Sequence, residues 1–258
     1  MRSGGKLLAM GVALALGACA GQGDKLTQGE GTAARGLRVA GAAMAGGLPQ
    51  AALNATRTVL ERDPNNVQAL VQQADALNAL GQGDAAAEAY RRILSKDASP
   101  SREQARQAQL GLGRADLAAG RAAAAEATYR ELVAAAPKEA GGHSGLGIAL
   151  DLQGRHKDAQ QAYRAALALA DTDAIRANLG LSLAMAGDAA GAIELLRPLA
   201  SDPGASPRVR HNLAFALALS GDRAGAERAL APDMPREQVV VALSGFDAFR
   251  SAAVEVVQ

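Results

Sequence analysis

The residues able to do chemistry are few and are poorly spaced for it. Cys19 is the only cysteine in the 258-residue chain, which excludes an internal disulfide and any multi-cysteine zinc cluster. His143, His156 and His211 are the only histidines. No two stand four residues apart, the spacing that brings two imidazoles to one helix face to grip a metal. Gly111-Leu112-Gly113 and Gly145-Leu146-Gly147 have the glycine density of a phosphate-cradling loop. Neither follows a strand-forming run, which a dinucleotide loop requires. No nucleophile elbow, Walker loop or zinc-protease helix motif is present. The expectation is a chain that is not an enzyme and uses no cofactor, metal or small-molecule substrate.

Cys19 has a different use. Residues 1–6 carry Arg2 and Lys6 and no acid, and Leu7 to Leu16 is an apolar run of ten. A basic start, a short apolar stretch and small residues before a cleavage point describe a secretory signal peptide. The run is too short for a bilayer span, which needs about 20 residues. The string Leu16-Gly17-Ala18-Cys19 resembles the lipobox of bacterial lipoproteins. That resemblance implies a diacylglycerol on the Cys19 thiol, cleavage before it and acylation of the new amino terminus. Residues 1–18 are then a signal peptide. Three acyl chains on one residue hold firmly, at about 0.8 kcal/mol per buried CH₂. Ala20 rather than Asp follows the cysteine, which in such lipoproteins implies the outer membrane, on its periplasmic face. Residues 19–32 are Gly-rich and polar and are expected to form a lipidated flexible tether. Fully extended, residues 20–32 would reach about 40–45 Å.

Composition sets the rest of the frame. Alanine is about a quarter of the chain, while Tyr and Phe number three each and Trp is absent. Alanine is the best helix former and adds little volume, so a core of Ala and Leu requires helices at close approach. Strand-built sandwiches and barrels need β-branched and aromatic residues, and single-strand nucleic-acid platforms need aromatic rings. The 27 Lys+Arg balance 26 Asp+Glu, so no basic stripe for nucleic acid is available.

The helices recur. Gly47, Gly81, Gly120, Gly154, Gly187 and Gly221 are spaced 34, 39, 34, 33 and 34 apart. Five residues after each stands an alanine: Ala52, Ala86, Ala125, Ala159, Ala192 and Ala226. Seven before each is Ala or Gly, and nine after come Thr56, Tyr90, Tyr129, Tyr163, Leu196 and Leu230. Every tyrosine therefore occupies one repeat position. A period near 34 with this pattern resembles the tetratricopeptide repeat. The resemblance implies an all-α, right-handed superhelical solenoid of helix-turn-helix units over residues 33–238, with units at 33–66, 67–100, 106–139, 140–172, 173–206 and 207–238. Ser101 to Ala105 account for the long interval and are expected between units. Asp116 stands where an aromatic or Leu is usual, and the first unit, with Ala43 and Thr56 at core positions, is the weakest. After Pro235, residues Arg236 to Val257 read as a terminal helix, and residues 239–258 are expected as the C-terminal capping helix, with Val239, Leu243, Phe246 and Phe249 covering the open end that a solenoid must close.

In tetratricopeptide solenoids the first helix of each unit lines a concave groove, mainly through its second, fifth, ninth and twelfth positions. Here the resemblance points to Gln68, Val71, Asp75 and Asn78; Gln107, Leu110, Arg114 and Leu117; Ser144, Ile148 and Asp151; Leu181; and Arg208, His211 and Phe215. This mixed surface suits an extended peptide or a partner helix. Arg114 is the best single anchor, since guanidinium is enriched at interface hot spots. The Lys/Asn pattern with which some such repeats clamp a C-terminal carboxylate is absent. Arg210-His211-Asn212-Leu213-Ala214, Leu217 to Gly221, and Ala226 to Arg236 with Asp233-Met234-Pro235 resemble the C-terminal region of the Flp/Tad pilus assembly lipoproteins of the TadD family. The overall layout is similar too. This resemblance implies a non-catalytic adaptor in pilus and secretion-apparatus assembly, with outer-membrane components such as the secretin as partners. The alternative is a general cell-envelope scaffold docking a peptidoglycan enzyme or protease.

Overall fold

The computed structural model describes residues 20–95 and 98–255, and the signal segment 1–18 and Cys19 lie outside the described residues. Thirteen helices and no strands occur among them. They pair as α1 (Ala20–Ala45) with α2 (Pro49–Leu60), α3 (Val67–Ala79) with α4 (Gly83–Leu94), and α5 (Arg102–Ala118) with α6 (Ala122–Ala135). There follow α7 (Ala140–Asp151) with α8 (His156–Leu169), α9 (Asp173–Met185) with α10 (Ala189–Ala200), and α11 (Pro207–Leu219) with α12 (Arg223–Leu230). A single helix, α13 (Arg236–Glu255), ends the stack. This is the all-α solenoid the period predicts.

The six glycines make the turns. Each has φ between +68° and +91°, a region closed to most side chains. Around Gly81, Gln82 N–H donates to Leu77 O at 2.9 Å and Gly81 N–H to Asn78 O at 3.0 Å. This pair of bonds closes the last helical carbonyls in a Schellman motif. Beyond each turn the alanine of the second helix is fully buried, with Ala52, Ala86, Ala125, Ala159, Ala192 and Ala226 all at 0 % exposure. Side chains of that size are what the crossing of two helices admits.

The tyrosines lie over glycines rather than in open gaps. A Cβ placed on Gly111 would stand 2.2 Å from the Tyr90 ring, and one on Gly145 2.3 Å from the Tyr129 ring. Gly113 is as tight against Tyr129, and Gly147 against Tyr163. Each ring fills volume that the missing side chain leaves, and close packing of this kind tolerates little added bulk. In the fifth unit Leu196 takes the same seat over Gly180.

Two expectations change. Residues 20–32, expected as a tether, are the first part of α1. Gly and polar residues lower helix propensity but do not end a helix, and the stretch has no proline; growth from the packed part of α1 costs no new nucleus. Ser101 to Ala105 are not a spacer between units. Ser101 caps α5 in a reciprocal capping box with Gln104, so Arg102–Ala105 add a turn to that helix. The first unit is ordered despite its weak consensus: Ala40, Ala52 and Thr56 are fully buried, and the Thr56 hydroxyl donates to Leu53 O at 3.0 Å. The terminal helix starts at Arg236, directly after Pro235.

Candidate partner-binding groove

Contacts between units show which side is inner. Each first helix touches the first helix of the next unit, along α1, α3, α5, α7, α9 and α11, while successive second helices make no comparable contact. Elements that converge on one side and splay on the other curve the stack toward the converging side. The odd-numbered helices thus line the concave face. Helix α13 continues their series. It packs on α12 and on α11, as the first helix of a seventh unit would, and buries Val239 and Leu243 there.

On this face the ninth position of the first helices runs Asp75, Arg114, Ile148, Leu181, Phe215, from charged to apolar. In the second unit the Tyr90 hydroxyl donates to Asp75 Oδ1 at 2.6 Å, and Asn78 Nδ2 donates to the same hydroxyl at 3.2 Å. Burial first, then the bond and charge of Asp75, push the Tyr90 phenol well above its ordinary pKa. In the fourth unit Asp151 accepts from Ser182 Oγ at 2.7 Å and pairs with His156 Nδ1 at 2.9 Å. Burial, followed by the charge and hydrogen bond of Asp151, likewise pushes Tyr163 far up. Asp75, Asn78 and Asp151 are therefore fixed by neighbouring helices while still lining the groove. Arg208 is fixed as well, donating from Nη2 to Asn178 Oδ1 in the preceding unit. Ser144 and Ile148 are half-buried on α7.

The groove's far end is different. Leu181, His211 and Phe215 come together with Met185, Phe246 and Phe249 around a pocket of about 450 Å³. Phe215 meets Phe246 and Phe249 edge-on, each at a centroid distance of 5.2 Å, a geometry aromatic quadrupoles favour. Phe249 stays 40 % exposed. His211 Nε2 is sealed without a hydrogen-bond partner, and the Asp233 carboxylate lies 3.6 Å away. The sequence pattern placed Phe215 in the groove and Phe246 with Phe249 on the cap; the fold makes them one cluster. The contributions of Met185 and Asn178 carried no sequence signal beyond their helix register.

Charge ties the units together away from the groove. Asp116, the departure from consensus, is 2 % exposed and is held by Arg121 Nε at 2.8 Å and by Arg91 Nη2 of the preceding unit at 3.3 Å. Arg121 also pairs with Asp84. At the next turn Glu126 accepts from Arg130, Gln153 and Arg155. Those bonds, Arg130 foremost, hold its carboxyl down at about 2. Within the last unit, Arg210 grips both oxygens of Asp233, which lowers that carboxyl too.

A curved stack of helix pairs with a continuous inner face defines a helical-repeat protein of the kind that mediates protein–protein interaction. The sequence profile of the tetratricopeptide repeat matches residues 40–103, 80–140, 110–174 and 145–206, and the chain belongs to that family. No curated protein sequence matches the chain. Among solved structures, a tetratricopeptide repeat protein from Parabacteroides merdae is 14% identical, with a TM-score of 0.66 over 87% of this chain and 93% of that one. The pilF protein of Pseudomonas aeruginosa is 16% identical, with a TM-score of 0.64 over 86% and 99%. A tetratricopeptide protein of Thermus thermophilus is 22% identical, with a TM-score of 0.58 over 72% and 98%. At these identities the likeness is one of fold.

Proposed function

We propose that this chain is a lipid-tethered adaptor at the periplasmic face of the outer membrane, and that its groove holds a segment of a protein partner during assembly of the Flp/Tad pilus and secretion apparatus. The observation that carries the adaptor reading is the unbroken inner face, charged at one end and aromatic at the other. The TadD-family reading draws support from the first and the last of the three C-terminal stretches that carry the resemblance. Arg210 and Asp233, one from each, are joined by two hydrogen bonds, so the resemblance falls on residues that act as a unit. Anchoring through Cys19 would confine the groove to the membrane plane and raise its effective concentration toward membrane partners. Deleting the gene tests the pilus reading: secretin multimers and surface pili are both expected to fall, and normal levels of both remove it. Replacing Cys19 tests the anchor: Cys19→Ala is expected to abolish palmitate labelling and membrane fractionation, and unchanged values of both remove the lipoprotein reading.

A further inference from the structure

All three phenylalanines of the chain meet in one place. Three successive helices of the inner face each offer two side chains one turn apart: Leu181 and Met185 on α9, His211 and Phe215 on α11, Phe246 and Phe249 on α13. Together they wall a pocket of about 450 Å³ whose surface is almost wholly apolar. Phe249 keeps 40 % of its surface in water. Apolar surface left open in a concavity is where a ligand is anchored. Two features narrow what can sit there. The first is charge. The charged residues that adjoin the lining in the chain are already paired, Arg210 with Asp233, and Asp247 with Arg223 and Arg250. A charged group entering the pocket would lose its water and gain no free counter-ion. The second is hydrogen bonding. His211 Nε2 is sealed, and Asn212 Nδ2 is spent on Ala177 O at 3.1 Å. An extended chain seated in the pocket would press backbone N–H and C=O groups against walls that do not bond them, which is costly. A helix arrives with those groups bonded to itself. Its side chains at i and i+4 also share one face, at the one-turn spacing of the three pairs in the wall.

Taking the inner face as the partner surface, we propose that this pocket anchors an amphipathic helix of the partner through two bulky, uncharged side chains, Leu, Phe or Met, four residues apart. The site is continuous with the rest of the inner face, so the helix that it holds leads directly into the groove. It requires neither the lipid anchor nor the pilus components as partners.

The test uses the full chain in lipid nanodiscs, because free detergent would enter an apolar pocket. The probes are blocked alanine–glutamine peptides of about 15 residues, long enough to populate a helix. One carries leucine and, four residues on, a photoreactive benzophenone side chain. Its isomer carries the same two residues only two apart, which puts them on opposite faces. After irradiation, crosslinks are located by mass spectrometry. The first peptide is expected to crosslink within residues 181–185, 211–215 or 242–249. Its isomer should do so at least about tenfold less, the scale of losing a hot-spot side chain. Phe249→Ala and Met185→Ala should each cut the yield by a similar factor. Val241→Ala, at 72 % exposure on the outer side of α13, should leave it unchanged. Equal yields from the two peptides, crosslinks spread elsewhere along the inner face, or no crosslink at all overturn the anchor but leave the inner face as a partner surface. Yields that survive both pocket substitutions, or that fall equally with Val241→Ala, overturn it as well. So does labelling by free benzophenone as strong as that by the peptide, which would assign the pocket to a small apolar molecule.

Discussion

The middle of the solenoid and its C-terminal end solve one packing problem with different side chains. In the second to fourth units a tyrosine ring lies over a glycine, and the Tyr90 hydroxyl meets Asp75 and Asn78 of its unit's first helix. In the fifth unit Leu196 occupies that seat, and in the sixth Leu230 stands at the same position, 1 % exposed. A leucine fills the volume but brings no hydroxyl, so no carboxylate is needed nearby. The inner face there is free to be apolar, and Leu181, Phe215 and the phenylalanines of α13 make it so. The choice of ring or aliphatic chain inside the core thus decides the chemistry of the groove outside it.

The strongest way to break this comparison is to empty the two seats. Tyr129→Ala removes a ring that touches glycines of two units and should cost about 3–5 kcal/mol. Because repeat stacks hold together through nearest-neighbour interfaces, urea denaturation followed by circular dichroism should split into two transitions. Phe215→Ala removes a half-buried ring at the end, should cost about 2 kcal/mol, and should leave one main transition. A single transition in the first variant would mean that Tyr129 is not what couples the halves.

Glycines sharpen the contrast at smaller cost. Gly145→Ala drives a methyl into the Tyr129 ring, and overpacking of this kind costs about 1–3 kcal/mol. Gly245 lies in α13 with nothing within 4 Å of an added Cβ. Gly245→Ala should stabilise by about 0.5–1 kcal/mol through helix propensity alone. Two helical glycines should therefore respond with opposite signs, and thermal melts giving the same sign would undo the argument that glycine is retained for the ring. Hydroxyl removal gives a finer test. Tyr90→Phe loses a bond to a carboxylate and should cost about 1.5 kcal/mol. Tyr129→Phe loses none and should stay within about 0.5 kcal/mol of the parent.

Much of this architecture was legible from spacing. The turn glycines, the crossing alanines and the tyrosine register each follow from a local steric demand that repeats every unit, and repetition makes a local demand visible in one sequence. The extension of α5 was missed although Ser101 and Gln104 have the spacing of a capping box, because the 39-residue interval suggested a spacer instead. What could not be seen depends on contacts between units. Asp116 reads as a flaw until Arg91 of the preceding unit is brought to it. Phe215 and Phe249 are distant in the chain and become neighbours only because α13 packs as a further first helix. The groove positions were placed by register, but that Asp75 accepts from Tyr90 and Asp151 from Ser182 depends on how the helices pack.

Away from the groove the two halves converge, and acid should show it with the smallest of these effects. Glu126 in the middle and Asp233 near the end are both held below their ordinary pKa by arginine. A carboxyl whose folded pKa is depressed adds stability above its unfolded pKa and loses that stability as pH falls through the folded value. For Glu126 the unfolded value is about 4.3 and the folded one about 2, so its contribution should be whole at pH 6 and fade between about pH 4 and 2. Glu126→Gln and Asp233→Asn should each melt slightly below the parent at pH 6, by about 1 kcal/mol or less, and should converge on it toward pH 2. A gap that persists into acid would show that these residues act through shape rather than charge, and that the two halves differ on their outer side as they do within the groove.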